Sequence, residues 1–515
     1  MAAALYARAG AVALRRPVSD FYVAGRLVPA MFNGAAIAAG LFPALAFAGL
    51  TVALTGGWEG ASLFALGAGG GLAAIAILIA PYLRNFGGYT VPDFLAERFN
   101  LPGIRELAVV AVILSAFPAL ALTLLGLGAI ATRIFAIDLA TGVAFAAALM
   151  LACSFVAGMR SASLTQIVQC AVLFAAALVA TVLLLGQGGT FVPARGDAGL
   201  QALVAIGFET FAADDKLNRF ALLFSVATGL AAMPHHLLRS LVTPSTEGAR
   251  TSFLWAMLFI GVLCLVGVPS LALLGETPAA TGAALPLLTF GFAAVGAIAA
   301  LLALGSALAV TLANSLSYDL YYKVVQPAAS TERRIFVARA ALVAVAVLAA
   351  WAVLAQPEAI HAMTAGAFSF AASTLLPGLL LGIWWKRASG EGALAGMLAG
   401  FAVCLYYMFA PRYFPFAFYE TSSFLSNATQ AEAARYNELR QAYYLGDAAT
   451  RAAALSAWEE AARAAANWGG IKRDFAAIFA VPVGLLTMIG VSLFTPAPAR
   501  DVQTLVGALR KSSAG

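Results

Sequence analysis

The sequence predicts an all-α, polytopic membrane protein built from two halves of five helices each, with one broken helix in each half. Three observations lead to this fold class. Of the 515 residues, 62% are hydrophobic and only 10% are charged, whereas a soluble protein carries about 25% charged residues. Apolar runs long enough to span a bilayer recur along the whole chain. Two of these runs contain helix-breaking residues at matching places, which is typical of an inverted repeat.

The apolar runs predict where the chain crosses the membrane. Spans are expected at about 28–56, 59–83, 104–133, 138–158, 163–186, 218–242, 252–275, 287–320, 335–355, 362–385, 391–410 and 475–495. Residues 1–27 are expected to be a short segment that is the remnant, or a truncated form, of a first helix, because Arg8 interrupts its apolar stretch. Residues 391–495 are expected to form peripheral helices with an external insert at 411–474, and 496–515 a cytoplasmic tail.

Each broken helix is predicted from the residues in its middle. The first contains Ala39-Gly40-Leu41-Phe42-Pro43, and the second contains Met233-Pro234-His235-His236. Proline lacks a backbone N–H and its ring clashes with the preceding turn, so a continuous helix is not expected at either place. The backbone groups that a break leaves free must face protein or a water-filled cavity. The sequence therefore predicts two halves, 28–186 and 218–390, with a binding site between the breaks near the bilayer midplane.

The arginines and lysines between the spans predict how the chain sits in the membrane. Loops on one side carry most of them, among them Arg84, Arg160 and Arg339, whereas the short loops on the other side carry few. Positive charge near span ends marks the cytoplasmic face, and long translocated loops are exempt. We therefore expect a multi-pass protein of the inner (plasma) membrane with a cytoplasmic C-terminus and external loops at 187–217 and 411–474. The second loop is expected to form a small helical cap, and a solvated hairpin without a functional role is its simplest interpretation.

Several short motifs occur in the same order as in a known family. They are Ser19-Asp20-Phe21-Tyr22-Val23-Ala24-Gly25-Arg26, Asn33-Gly34-Ala35-Ala36-Ile37-Ala38, Gly88-Tyr89-Thr90-Val91-Pro92-Asp93-Phe94, Gly158-Met159-Arg160 with Thr165-Gln166, Pro234-His235 with Arg239, Ser317-Tyr318-Asp319-Leu320-Tyr321, and Trp468-Gly469-Gly470-Ile471. With these motifs the chain resembles the solute:sodium symporter family, especially its acetate-permease-like (cation/acetate symporter) branch. The resemblance implies the five-plus-five inverted-repeat, LeuT-like transporter fold. It also implies a secondary active transporter that takes up a small organic acid, an acetate-like monocarboxylate, by alternating access.

The chain departs from this family where sodium is expected. The resemblance implies a sodium ion between two backbone carbonyls of the first broken helix, here Ala38 and Leu41, and a pair of hydroxyls. Ala303 and Leu304 stand at the positions that match those hydroxyls. Relatives also carry an aspartate in the first break, where this chain has Gly40, and a serine in place of its proline. A hard cation needs oxygen ligands, so the familiar sodium site is expected to be degraded.

This loss leaves the coupling ion open between several alternatives. Ser306 lies three residues after Ala303 and approximately shares its face of the helix, but one hydroxyl with two carbonyls makes a poor cation site. We expect coupling to protons rather than sodium, or no coupling at all in a uniporter. The alternative is a sodium-coupled symporter whose cation site is rebuilt around Ser306. No cofactor beyond a coupling ion is expected.

The candidate substrate-binding residues lie at the two breaks. They are Gly40, Phe42, Pro43, Met233, Pro234, His235 and His236. His235 either hydrogen-bonds a freed carbonyl or contacts the solute, whereas His236 stands where relatives tend to carry an apolar residue. Because imidazole can change its charge near neutral pH, His236 is the candidate proton carrier. Arg239 is expected to anchor the membrane interface by snorkelling, and Gln166 and Gln169 to form interhelical hydrogen bonds.

Other classes of protein are excluded by what the sequence lacks. It has no Gly-Lys-Ser/Thr phosphate-binding loop, so ATP-driven transport within this chain is not expected, and no enzyme is predicted. The two adjacent histidines have no cysteines or carboxylates at zinc spacing, and the four cysteines lie within apolar spans. The expected partners are a small organic anion and the lipid bilayer, with no nucleic acid; a small membrane subunit remains open. The alternative class is a transporter-like protein that binds its ligand without moving it, as a sensor or partner subunit.

Overall fold

A computed structural model describes residues 18–186, 216–272, 284–357, 360, 363–364, 366–422 and 428–510 of the chain, and the elements in this part are helices. The expected N-terminal remnant up to residue 17 and most of the expected external loop at 187–217 lie outside the described residues. Nine described helices are long and apolar enough to cross a membrane, and two further pairs of helices would span it if each bent pair is counted as one. The chain is therefore an integral membrane protein.

The elements follow the order that the sequence predicts. Residues 18–186 contain α1 (Val18–Val23), α2 (Ala30–Ala74), α3 (Ala80–Phe86), α4 (Val91–Phe99), α5 (Ile104–Phe135), α6 (Leu139–Ser154) and α7 (Met159–Gly186). Residues 216–384 contain α8 (Lys216–Ala232), α9 (Pro234–Ser240), α10 (Thr246–Ala272), α11 (Ala284–Asn314), α12 (Thr331–Ala355) and α13 (Ala367–Trp384). The peripheral helices are α14 (Gly390–Tyr413), α15 (Pro415–Ser422), α16 (Gln430–Leu445), α17 (Ala448–Ala465), α18 (Ala477–Phe494) and α19 (Arg500–Leu509). A π-helical segment, Ser315–Val325, continues α11 without interruption.

The first broken helix has its break earlier than the sequence predicts. The axis turns by 104° between Val18–Arg26 and Ala30–Ala46. Gly25 has a left-handed backbone (φ 64°), and Pro29 is extended just before α2 begins. Glycine adopts the left-handed conformation without steric cost, and proline cannot continue a preceding helix. The chain therefore turns at residues 27–29.

The predicted break at 39–43 is wrong, because α2 is helical through both Gly40 and Pro43. A proline inside a membrane helix frees one carbonyl, which is tolerated where neighbouring helices enclose it. α2 packs against α7, α8, α10 and α11, which provides such an enclosure. The helix also continues through residues 57–58, where the sequence predicts a short loop. In this region 62–86 is long and apolar enough to cross a membrane by itself, whereas 30–46 is so only together with Val18–Arg26.

The second broken helix is confirmed where the sequence places it. α8 ends at Ala232 and α9 begins at Pro234, with a bend of 48° between their axes. Met233 joins them with an extended backbone (ψ 118°), and Pro234 occupies the first position of α9. Proline fits this position because the N–H that it lacks would have no helical partner there. The break is thus a consequence of Pro234 itself.

The helix α11 lies at the centre of the described structure. It packs against α2, α5, α6, α7 and α12, and 83% of its apolar window is buried, more than in the other spans of the described part. A helix that is apolar on all sides is expected in such a place. Its π-helical continuation carries the motif Ser317–Tyr321, which brings that motif to one end of the bundle.

The insert between the last two spans is helical, as the sequence predicts. α16 and α17 pack together around Tyr436, Leu439 and Trp458. Thr429 and Glu432 form a capping box that starts α16, in which each side chain binds the other residue's backbone N–H. The insert therefore has a small aromatic core of its own.

Candidate functional site

The break between α8 and α9 brings the two histidines together inside the protein. All seven residues of α9 are buried, and so is Met233. The rings of His235 and His236 lie with their centroids 4.0 Å apart, and His236 is only 3% exposed. The Nδ1 atom of His235 is buried without a hydrogen-bond partner. The second group of predicted site residues is therefore assembled around one short helix.

The guanidinium of Arg239 lies inside the protein and does not snorkel to an interface. Its side chain is 2% exposed, and its Nη1 donates a hydrogen bond to the Oγ of Ser163 on α7 (2.9 Å). Its Nη2 is buried without a partner. The expectation of an interfacial anchor is wrong because α9 is buried along its whole length, so its arginine has no lipid headgroup within reach. Nearby, the Nδ2 of Asn33 on α2 donates to the carbonyl of Arg239 (3.0 Å).

The predicted site residues Gly40, Phe42 and Pro43 lie along α2, and they do not share one neighbouring helix. A methyl group added at Gly40 would lie 3.8 Å from the carbonyl oxygen of Ala303, so α2 approaches the α11 backbone closely here. The ring of Phe42 is buried against Gly267 of α10, and Pro43 is buried within the helix. α2 reaches α9 at Asn33, about two turns before Gly40. Contact with α11 thus dominates the surroundings of Gly40.

The residues around the expected sodium position already bind one another. The Nε2 of Gln166 donates to the carbonyl of Ala303 (2.8 Å) and to the Oγ of Ser306 (3.0 Å). Ser306 in turn donates to the carbonyl of Ala303 (3.1 Å). Ala38 and Leu41 are buried, and Ala39, Cys170 and Ala303 form a small apolar cluster. The interhelical hydrogen bond predicted for Gln166 is confirmed, and it uses the oxygens that Ser306 and Ala303 would offer to a cation.

A small cavity borders Pro234. It is lined by Thr90, Val91, Pro92, Val112, Pro234, Leu238, Thr311, Asn314 and Ser315. Asn314 donates through Nδ2 to the carbonyl of Tyr22 (3.2 Å), and its Oδ1 is buried without a partner. The residue thus offers an oxygen rather than a donor to its surroundings.

An ion-pair network, which the sequence did not predict, joins α4, α5 and the π-helical segment. Nη1 of Arg105 lies 3.2 Å from Asp93 and 3.0 Å from Asp319, and Lys323 lies 3.4 Å from Asp93. Asp319 is fully buried and also accepts a hydrogen bond from Thr90 (2.7 Å). Asp93 lies in the motif Gly88–Phe94, and Asp319 lies in the motif Ser317–Tyr321. Their presence in these motifs is the one sign in the sequence that the two aspartates could act together. No cluster of histidine, cysteine or acidic residues that suits a metal ion occurs among the described residues.

Comparisons with known proteins agree with this architecture. Residues 21–400 match the sodium:solute symporter family. An uncharacterised symporter of Cupriavidus necator is 28% identical, over 99% of this chain and 92% of its own. A monocarboxylic acid transporter of Corynebacterium glutamicum is 27% identical, over 76% of this chain and 78% of its own. These relatives are symporters and transporters rather than enzymes.

A solved structure confirms the fold. A Na⁺-coupled sialic acid symporter in a substrate-bound, outward-open state matches with a TM-score of 0.65 and 15% identity, over 96% of each chain. At this identity the likeness concerns the fold alone. Together with the two bent helices, it confirms the five-plus-five inverted-repeat, LeuT-like fold that the motifs implied.

Proposed function

Because the chain belongs to the sodium:solute symporter family, we propose that it is a symporter whose solute is a small monocarboxylate and whose coupling ion is not sodium at the family's familiar position. A relative in Corynebacterium glutamicum is a monocarboxylic acid transporter, which supports this class of solute. The buried, polar break at α8 and α9 supports a site near Met233, Pro234, His235 and His236. Broken helices near the bilayer centre are how many secondary transporters hold their solute.

The hydrogen bonds of Gln166 are the observation that carries the proposal about sodium. An amide N–H₂ group presents hydrogen atoms, whereas sodium requires oxygen lone pairs. While Nε2 of Gln166 lies 2.8 Å from the Ala303 carbonyl and 3.0 Å from the Ser306 hydroxyl, both acceptors are satisfied without a cation. Together with the missing oxygens at Gly40, Pro43 and Leu304, this arrangement removes the ligands that a sodium ion would need there.

In this proposal a proton travels with the solute, and His236 carries it. The charged or titratable groups that act on His236 are His235 and Arg239. A second positive charge beside a buried guanidinium is costly while the site is empty, and an anion nearby compensates it. Binding of the anion and uptake of the proton therefore favour each other, and linkage makes the effect reciprocal. The alternative without a proton is uniport.

A second candidate function is sodium-coupled symport through a rebuilt site. The observation that favours it is the cavity beside Pro234, where the free Oδ1 of Asn314 lies with the hydroxyls of Thr311 and Ser315. Substituting Asn314 by Leu removes that oxygen at similar volume. Sodium-dependent uptake in the natural protein that is lost in this variant supports the second candidate, whereas sodium-independent uptake in both excludes it.

The solute class is tested by counterflow in proteoliposomes. Vesicles loaded with unlabelled acetate, propionate or pyruvate are diluted into labelled acetate in choline buffer at equal pH inside and outside. We expect transient accumulation of label with each monocarboxylate and none with acetamide, which is uncharged. Absence of counterflow with every monocarboxylate tested would contradict the solute class and favour a protein that binds without transporting.

Protease accessibility of the C-terminus in inside-out vesicles tests the proposed cytoplasmic orientation in the inner membrane.

A further inference from the structure

The short helix α9 carries an uncommon density of buried polar atoms without partners. They are the Nη2 of Arg239, the Nδ1 of His235 and the Oγ of Ser240; the Oδ1 of Asn33, whose amide nitrogen binds α9, is also unpartnered. Buried polar groups in proteins are nearly always hydrogen-bonded, so a group without a partner suggests a missing ligand or water. Water can satisfy a hydrogen bond but brings no charge.

Arg239 also lacks a counter-charge. Within the described part of the chain no carboxylate pairs with it, and its one side-chain bond is to the neutral hydroxyl of Ser163. A buried, unpaired charge costs several kcal/mol, and charged groups inside a membrane protein are expensive and usually functional. An anionic ligand is the simplest means of offsetting that cost.

Arg98 is a second buried arginine, and its guanidinium is held by carbonyls of the protein although its Nη1 also lacks a partner. It is fully buried on α4, and it donates to the carbonyls of Gly382, Trp385 and Ala388 at the C-terminal end of α13 (2.8–3.3 Å). Cations are favourable at helix C-termini, where carbonyls lack partners. Burial lowers the pKa of Arg98 to about 10, so it remains protonated at neutral pH. Arg239 has no such set of carbonyls.

The spacing of the free donors suits a carboxylate. His235 and Arg239 are four residues apart on α9, so their side chains share one face of the helix with Cβ atoms about 5–6 Å apart. We infer that the solute's carboxylate binds between the Nδ1–H of His235 and the Nη2–H of Arg239. Charge-assisted bonds from a guanidinium to a carboxylate are among the strongest in proteins. The inference rests on the proposed function, and it names the residues that hold the charged end of the solute.

The fully buried surroundings of α9 suit a small anion. α9 is enclosed in this conformation, so the solute reaches it when the surrounding helices move apart, as alternating access requires.

The test measures ligand-induced stabilisation of the purified, full-length protein. Melting temperature is followed against choline acetate, with acetamide as the neutral probe, because a ligand that binds the native state raises stability by mass action. We expect Arg239→Gln to weaken the apparent affinity for acetate at least tenfold. Arg239→Lys should weaken it less, since it keeps the charge but loses the planar donor geometry.

Arg98→Gln is the matched control, and the ligand-free proteins supply a second readout. Arg239→Gln removes an unpaired charge, so its melting temperature without ligand should equal or exceed that of the natural protein. Arg98→Gln leaves three carbonyls without their donor, so its melting temperature should fall while its acetate affinity stays within twofold. A folded Arg239→Gln protein with natural acetate affinity would overturn the site and leave the transport proposal standing. A natural protein that no monocarboxylate stabilises would overturn both.

Discussion

At the scale of single residues, Gln166 determines what can bind beside Ser306. Its amide nitrogen bridges the Ala303 carbonyl and the Ser306 hydroxyl, and its Oε1 is buried without a partner. The amide nitrogen of Gln166 thus donates hydrogen bonds to both oxygens. The same geometry predicts how a cation site can be restored.

Gln166→Glu replaces the donating nitrogen by a carboxylate oxygen at the same length of side chain. The carboxylate then faces the Ala303 carbonyl and the Ser306 hydroxyl, and a small cation relieves their repulsion. We expect acetate affinity to become sodium-dependent by at least tenfold, about 1.4 kcal/mol, while the natural protein stays insensitive. Acetate titrations in sodium and in choline buffers measure this. Gln169→Glu is the control, since Gln169 bonds the Sγ of Cys153 and not this cluster; equal sodium dependence in both variants would refute the role of Gln166.

A second residue-scale prediction concerns the pH dependence of uptake. If His236 carries the coupling proton, uptake of acetate should rise as the external pH falls, because the proton and the acetate favour each other's binding. His236→Gln keeps a hydrogen-bonding side chain but cannot take up the proton, so its pH profile should be flat. His235→Gln should lower uptake without changing the shape of the profile. A His236→Gln protein with the natural pH profile would remove the proton proposal and favour uniport.

The sequence predicts the partners and the burial of some single residues better than those of others. The hydrogen bond of Gln166 was predictable in kind, because an amide inside a membrane span needs a partner, but its partners depend on which helices are neighbours. The burial of Arg239 was not predictable, because an arginine near the end of an apolar run suits an interface equally well. Only the position of α9 within the bundle distinguishes the two.

At the scale of elements, the sequence predicts the position of the second broken helix correctly and that of the first wrongly. Pro234 breaks its helix, whereas Pro43 lies inside α2 and the chain turns at residues 27–29 instead. Both prolines carry the same local signal. What separates them is the neighbourhood: Gly25 and Pro29 already turn the chain, and the helices packed around α2 enclose the carbonyl that Pro43 frees.

The network around Arg105 fastens α4 and α5 to the π-helical segment that ends α11. Removing one partner of a buried pair leaves the other charge uncompensated and typically costs about 3–5 kcal/mol. We therefore expect Arg105→Ala to lower the unfolding free energy by about 3 kcal/mol, and the added change Asp319→Asn to restore part of it. Melting temperatures of the four proteins of a double-mutant cycle measure the coupling.

An exposed pair provides the control for this prediction. Arg435 and Glu438 lie 3.1 Å apart on α16 with most of their side chains exposed, and such surface pairs contribute at most about 1 kcal/mol. Arg435→Ala should therefore change stability little. A coupling energy between Arg105 and Asp319 no larger than that of the exposed pair would contradict a structural role for the network.

At the scale of the whole molecule, most of the fold follows from composition. The positions of the spans were predicted from apolar runs and their interruptions, because a bilayer admits only elements that satisfy their own backbone. The helical insert was predicted from its alternation of charged and alanine-rich faces. The inverted repeat was predicted from the paired breaks. This prediction is confirmed, although the first break lies at residues 27–29 and not at 39–43. The ion-pair network and the partners of Gln166 could not be predicted, since both depend on contacts between helices that are distant in sequence.

The most direct test of the proposed function is uptake of labelled acetate into proteoliposomes under imposed gradients, applied one at a time. An inward proton gradient should raise the initial rate of acetate uptake by the natural protein above the rate in protein-free vesicles, which measures diffusion of acetic acid. An inward sodium gradient at equal pH should produce only equilibration. Accumulation driven by sodium and not by protons would contradict the proposal and place a working cation site elsewhere in the protein.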